Sequence, residues 1–177
     1  MEEITQETII QHANDKTYLM ETLADRDRAA LLEFASEELR NDKELVLQAV
    51  KYNGIALEFA SDALKADKDV VLTAVKDVGW VICYANEKLK DDKEVVLEAA
   101  KKDGQSLYYA SEKLRDDEEV VKEAVRNKGL IYKYASRRLR ADKEIAQLAI
   151  QNDKRAKSYI TEELKADGEF QKLLEEN

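Results

Sequence analysis

Residues 92–115 read DKEVVLEAAKKDGQSLYYASEKLR and residues 117–140 read DEEVVKEAVRNKGLIYKYASRRLR. At an offset of 25 the two strings coincide at Asp92/Asp117, Val95/Val120, Ala99/Ala124, Gly104/Gly129, Tyr109/Tyr134, Ala110/Ala135, Ser111/Ser136, Leu114/Leu139 and Arg115/Arg140. The register holds outward in both directions. Ala35, Ala60, Ala85, Ala110 and Ala135 precede Ser36, Ser61, Asn86, Ser111 and Ser136, and Ile160-Thr161 continues the series. Leu39, Leu64, Leu89, Leu114, Leu139 and Leu164 follow, then Asp42, Asp67, Asp92, Asp117, Asp142 and Asp167. A unit this short cannot bury its own apolar face, so neighbours must stack and share a core. The reading is an all-α helical-repeat solenoid of period 25, with two helices per unit and the second kinked or broken.

One unit, 42–66, shows the local logic. Asp42 is an N-cap whose carboxylate accepts from the open amides of the first turn, and Glu44 adds charge at the positive end of the helix dipole. Leu45, Val46, Ala49 and Val50 form a stripe at helical spacing, which predicts a first helix over about 43–52. Gly54 follows, and a C′ glycine with positive φ would end that helix. A second helix is expected in two pieces, about 55–60 and 62–66, because Ser, Asn and Thr at the position of Ser61 suit a cap better than a helix interior. Ile55, Leu57, Phe59, Ala60 and Leu64 mark its buried side. Phe34, Phe59, Tyr84, Tyr109, Tyr134 and Tyr159 form an aromatic ladder that reads as packing between units.

The whole chain, 1–177, reads as one solenoid domain. Residues 1–14 are an N-terminal cap, 15–41, 42–66, 67–91, 92–116, 117–141 and 142–166 are repeats, and 167–177 is a C-terminal cap. The first repeat carries a longer loop at Ala24-Asp25-Arg26-Asp27-Arg28 in place of the glycine turn. Across 15–166, the spacing of Asp, apolar triplet, Ala, Gly, Leu, aromatic-Ala-Ser and Leu resembles the repeat family called domain of unknown function 4116. Lys154 stands where that pattern has Gly, and Ile160-Thr161 replaces Ala-Ser. The resemblance implies tandem helical repeats, often inside larger proteins, with no established activity and no catalytic residues to carry over.

Composition narrows the chemistry. With no Pro, 5 Gly and 38% charged residues, the chain is poor in turn formers and rich in helix formers, which argues against a β-sandwich or barrel. One Cys and one His cannot make a disulfide framework or a structural zinc site, and no cofactor or metal is expected. No run of 18 apolar residues occurs and the start MEEITQETII lacks a signal peptide's basic and apolar regions. The expectation is a soluble, cytoplasmic protein without membrane insertion. A formal charge of −9 opposes nucleic acid on average.

No phosphate loop, dinucleotide fingerprint, zinc-protease motif or calcium loop is present, and Cys83 and His12 lie far apart in sequence, so no enzymatic activity is expected. The repeated carboxylates read as caps, and Arg40, Lys65, Lys90, Arg115, Arg140 and Lys165 read as charge ladders between units. Binding information should lie where the repeat varies. Trp80, Tyr108 and Tyr132 are candidates for an aromatic contact patch with a protein partner. Arg126, Lys128, Lys133, Arg137, Arg138 and Arg140 form a stretch without acidic residues that could hold an anion, a phosphoinositide head group or RNA. The main reading is a non-enzymatic scaffold for protein interaction. The alternatives are anion binding through 126–140 and a purely structural or engineered array. End-to-end self-association is a further expectation, since solenoid ends expose unpaired faces.

Overall fold

The computed structural model describes residues 5–175, which contain helices and turns and no strand. The chain forms two compact units, 1–89 and 90–177. Unit 1 holds α1 (Gln6–Gln11), α2 (Lys16–Thr22), a 3-10 helix Ala29–Phe34, α3 (Glu37–Arg40), α4 (Lys43–Tyr52), a 3-10 helix Gly54–Phe59, α5 (Asp62–Lys65), α6 (Lys68–Asp77), a 3-10 helix Gly79–Tyr84 and α7 (Glu87–Lys90), where the boundary falls. Unit 2 holds α8 (Lys93–Lys102), α9 (Ser106–Tyr109), α10 (Glu112–Arg115), α11 (Glu118–Asn127), a 3-10 helix Gly129–Tyr134, α12 (Arg137–Arg140), α13 (Lys143–Asn152), a 3-10 helix Lys154–Tyr159, α14 (Glu162–Lys165) and α15 (Gly168–Glu175). Each unit is an all-α repeat stack of the solenoid class. The N-terminal cap expected over 1–14 is described from residue 5 onward, and Glu176 and Asn177 of the C-terminal cap also lie outside the described residues.

The first helix of the 42–66 repeat spans Lys43–Tyr52, and the Asp42 carboxylate accepts from the Leu45 amide at 3.0 Å. Its second helix is broken as the polar residue suggested. Ala60 is extended (φ −65°, ψ 155°), and the Ser61 hydroxyl then caps α5 by accepting from the Leu64 amide at 3.3 Å. The piece before the break is a 3-10 helix, so its positions i and i+3 lie over one another. Backbone bonds of regular pitch stitch successive repeats within each unit. The Ser61 amide donates to the Arg40 carbonyl at 2.9 Å and the Asn86 amide to Lys65 at 2.9 Å in unit 1. In unit 2 the Ser111 amide donates to Lys90 at 3.0 Å and Ser136 to Arg115 at 2.9 Å.

The glycines correct the sequence reading. No residue with positive φ occurs among the described residues. Gly54 instead sits where the next first helix passes: a Cβ there would lie 2.4 Å from the Ala74 carbonyl oxygen. Gly104 meets Ala124 at 2.4 Å and Gly129 meets Ala149 at 2.5 Å in the same way. The requirement is steric, between neighbouring backbones. The close approach is fixed by a side-chain cap across the seam, since the amide of Gly54 donates to Asp77 Oδ2 at 2.9 Å and that of Gly104 to Asn127 Oδ1 at 2.9 Å.

The charge ladder is also carried by other residues than expected. Four lysines that open first helices reach two carboxylates of the next repeat within their own unit: Lys16 to Asp42 and Glu44, Lys43 to Asp67 and Asp69, Lys93 to Asp117 and Glu119, Lys143 to Asp167 and Glu169, all within 2.7–3.2 Å. Lys16 and the Leu45 amide hold the Asp42 carboxyl below its usual range. At Asp67 and Asp117 partial burial pushes upward, and Lys43 or Lys93 with the helix amides outweighs it. Glu118 replaces the lysine once, and there Lys122 bridges Glu118 and Glu144 instead. Of the series proposed for this role, Lys165 pairs with Glu162 in its own helix, and the Nε atoms of Arg40, Arg115 and Arg140 are buried without a hydrogen-bond partner.

Candidate functional site

The 3-10 geometry decides which side chains leave the core. In Gly129–Tyr134, Gly129 and Tyr132 share the inward side, so Tyr132 is buried (0% exposed), with its hydroxyl donating to the Arg140 carbonyl at 2.5 Å. Burial holds that phenol well above its usual pKa, against the opposing pull of Arg140. Tyr132 therefore cannot belong to a contact patch. Its column in the repeat shows why: it occupies the place of the buried residues Leu32, Leu57, Ile82 and Leu107.

Tyr108 has the opposite fate. On α9 the residue is 53% exposed, its ring edge-on to Tyr109 at 5.0 Å and to Tyr134 at 4.8 Å between ring centroids. The neighbouring repeat supplies Lys133, whose Nζ lies 4.8 Å from the Tyr134 centroid and 5.9 Å from that of Tyr159. Cation and rings form one surface on unit 2, with the ladder residues Tyr109, Tyr134 and Tyr159 half-buried beneath. Periodic packing explains the half-buried ladder, and the departure of Tyr108 and Lys133 from the Glu58 column was the available signal for the surface. Trp80 belongs to unit 1, where it is half-buried and tilted on Tyr84 at 6.0 Å.

The basic stretch is largely engaged within unit 2. Arg126 pairs with Glu123 at 3.3 Å, Lys128 donates to Gln105 Oε1 at 2.6 Å, and Arg138 holds Asp116 at 3.0 Å while donating to its carbonyl at 2.6 Å. Arg137 pairs with Glu163, and Arg140 donates to the Tyr159 carbonyl at 3.3 Å. The Ser136 hydroxyl and Arg138 together hold the Asp116 carboxyl below its usual range. These cations brace successive repeats more than they converge on an open anion site.

Cys83 is half-buried on the 3-10 helix Gly79–Tyr84, and His12 belongs to the N-terminal cap, stacked on Tyr18 at 4.0 Å with Nδ1 2.8 Å from the Thr8 carbonyl. No group of three or more His, Cys, Asp or Glu placed to hold a metal occurs among the described residues. No helix among the described residues is long and apolar enough to cross a membrane.

The repeat pattern matches a family described as "Domain of unknown function (DUF4116)" at residues 25–65, 67–115 and 117–165, together about four-fifths of the chain. The chain belongs to that family. Each full match spans two of the 25-residue units, so a DUF4116 repeat is a pair of the smaller structural repeats described above. No curated protein and no solved structure matches the chain.

Proposed function

We propose that this DUF4116 chain is a non-enzymatic protein-binding module of the cytoplasm whose contact surface is the tyrosine face of unit 2. The observation that carries the reading is Tyr108, a residue 53% exposed whose ring is yet held in place by two other rings. Tyrosine is enriched at binding hot spots, and a ring already braced in one orientation loses little conformational freedom when a partner covers it. Lys133 beside Tyr134 adds a cation that favours a partner with an acidic group near an apolar one. The recurring aspartates support the non-enzymatic part, since they serve as helix caps and ladder partners. Anion or RNA binding through 126–140 is the weaker reading, because the cations of that stretch already have partners inside unit 2.

The test is selection of a displayed random-peptide library on the intact chain, with Tyr108→Ala as the counter-target. The proposal expects a related set of peptides that bind the native chain and lose at least about tenfold in affinity on the variant, the scale of a hot-spot truncation of about 1.4 kcal/mol. Peptides that bind both proteins equally would move the contact surface away from Tyr108, and no enrichment at all would leave the purely structural array as the better reading.

A further inference from the structure

The repeat loses its own rules at one place. Lys154 stands in the column of Gly54, Gly104 and Gly129, and Lys157 stands in the column of the buried Leu57, Leu107 and Tyr132. At the other members of the first column, a Cβ would collide with the carbonyl of the residue 20 positions on. For Lys154 that residue is Leu174 on α15, so α15 cannot seat against this turn as α6 seats against Gly54 or α11 against Gly104. Lys157 removes the apolar side chain that fills the same region in other repeats, and both lysines are exposed.

The outcome is a cleft of about 330 Å³ lined by Gln147, Ile150, Gln151, Lys154, Lys157, Leu173 and Leu174. Ile150 is only half-buried there, whereas its counterparts Val50 and Val125 are fully buried. The floor is apolar and the rim carries two cations. A matching surface exists on the same chain. On α1, Ile10 is 52% exposed, and Glu7, three residues earlier, lies on the same side of the helix and is exposed. Ile10, Tyr52 and Tyr108 are the large exposed apolar residues among the described ones, and Ile10 has Glu7 about one helical turn away to meet a cationic rim.

We propose that the cleft between α13, the 3-10 helix Lys154–Tyr159 and α15 receives α1 of a second copy of the chain, Ile10 entering between Ile150 and Leu174 while Glu7 meets Lys154 and Lys157. Each copy offers one helix and one cleft, so the contact joins copies into a closed assembly or an open chain. Its small area places it in the weak, transient class of interfaces, so it is read at high protein concentration.

The experiment is sedimentation equilibrium of the full chain from about 10 μM to about 1 mM, the range of weak affinities. The average mass should rise above the 20.2 kDa of one chain. Ile10→Glu and Ile150→Glu should each abolish the rise, while their equimolar mixture, which has one intact helix and one intact cleft, should form a complex that stops at two chains. Because Ile150 contributes to packing, a second pair is read at exposed positions only. Glu7→Lys should weaken association, and the further changes Lys154→Glu and Lys157→Glu in the same chain should restore it, with helicity unchanged by circular dichroism. A constant mass of 20.2 kDa throughout would overturn the proposal. So would association lost in Ile150→Glu but kept in Ile10→Glu, which would put another segment in the cleft. An absent charge-swap rescue counts against it equally.

Discussion

Replacing Gly104 by Ala tests the steric account of the repeat directly. The added methyl would lie 2.4 Å from the Ala124 carbonyl oxygen and 3.0 Å from Lys128 Cβ, where ordinary contact begins at 3.4 Å. The seam between α8 and α11 must then open by about 1 Å, enough to forfeit a quarter to a half of the dispersion attraction across it. Overpacking of this kind costs about 1–3 kcal/mol. The same movement strains the bond from the Gly104 amide to Asn127, worth about 1 kcal/mol. Against this, Ala restricts the unfolded chain and returns about 0.4–1 kcal/mol. The net expectation is a loss of about 2 kcal/mol, or about 4–8 °C in Tm for a chain of this size, read by calorimetry. Gly168→Ala is the control, since a Cβ at Gly168 meets nothing within 4 Å and lies in the first turn of α15. It should leave Tm unchanged or raise it by a few degrees. Equal Tm for Gly104→Ala and the native chain would refute the close-approach argument, and a rise would show that the glycine weakens the seam.

Three further outcomes follow from the same physics. Ser111→Ala removes the cap on the Leu114 amide and the hydroxyl bond to Asp91, so stability should fall by about 0.5–2 kcal/mol, measured by urea unfolding. Asp42, Asp67, Asp117 and Asp167 titrate in the folded chain below their ordinary value of 3.8; the stability they confer is complete above that value and is lost as pH falls through the folded values. Tm should accordingly be level between about pH 7 and 5 and drop below about pH 4; a Tm that climbs on acidification would contradict the ladder. Trp80, half-buried on Tyr84, should emit between the extremes of a core and a free indole, with acrylamide quenching reduced but present, and complete protection would place it in the core.

Much of the architecture was legible because caps and apolar columns recur. Asp42, Ser61 and Leu64 each do in the structure what their residue type at that spacing requires. What misled were residues whose meaning depends on the neighbouring repeat. Gly54 looks like a local turn residue, yet its partner is a carbonyl 20 positions away. Arg40 and Lys65 stand where a charge ladder was expected, while Lys43 reaches Asp67 and Asp69 one repeat on. Tyr132 was grouped by ring type with Trp80 and Tyr108, when its column among buried leucines was the better guide. The tyrosine surface was half visible: Tyr108 stood out as variable, but its support by Tyr134 and the placement of Lys133 required the spacing between repeats.

The glycine seam also bears on how such an array can grow. A complete unit placed after 142–166 would bring its first helix against residue 154, where lysine blocks the approach that Gly129 permits for Ala149. Lengthening the array at that point, by gene duplication or by design, therefore needs Lys154→Gly and an apolar residue at 157. Insertion after Asn53 or Asp103 needs no such change, because the glycine is already there. Residues 154 and 157 thus mark the one described seam at which a standard repeat does not fit unchanged.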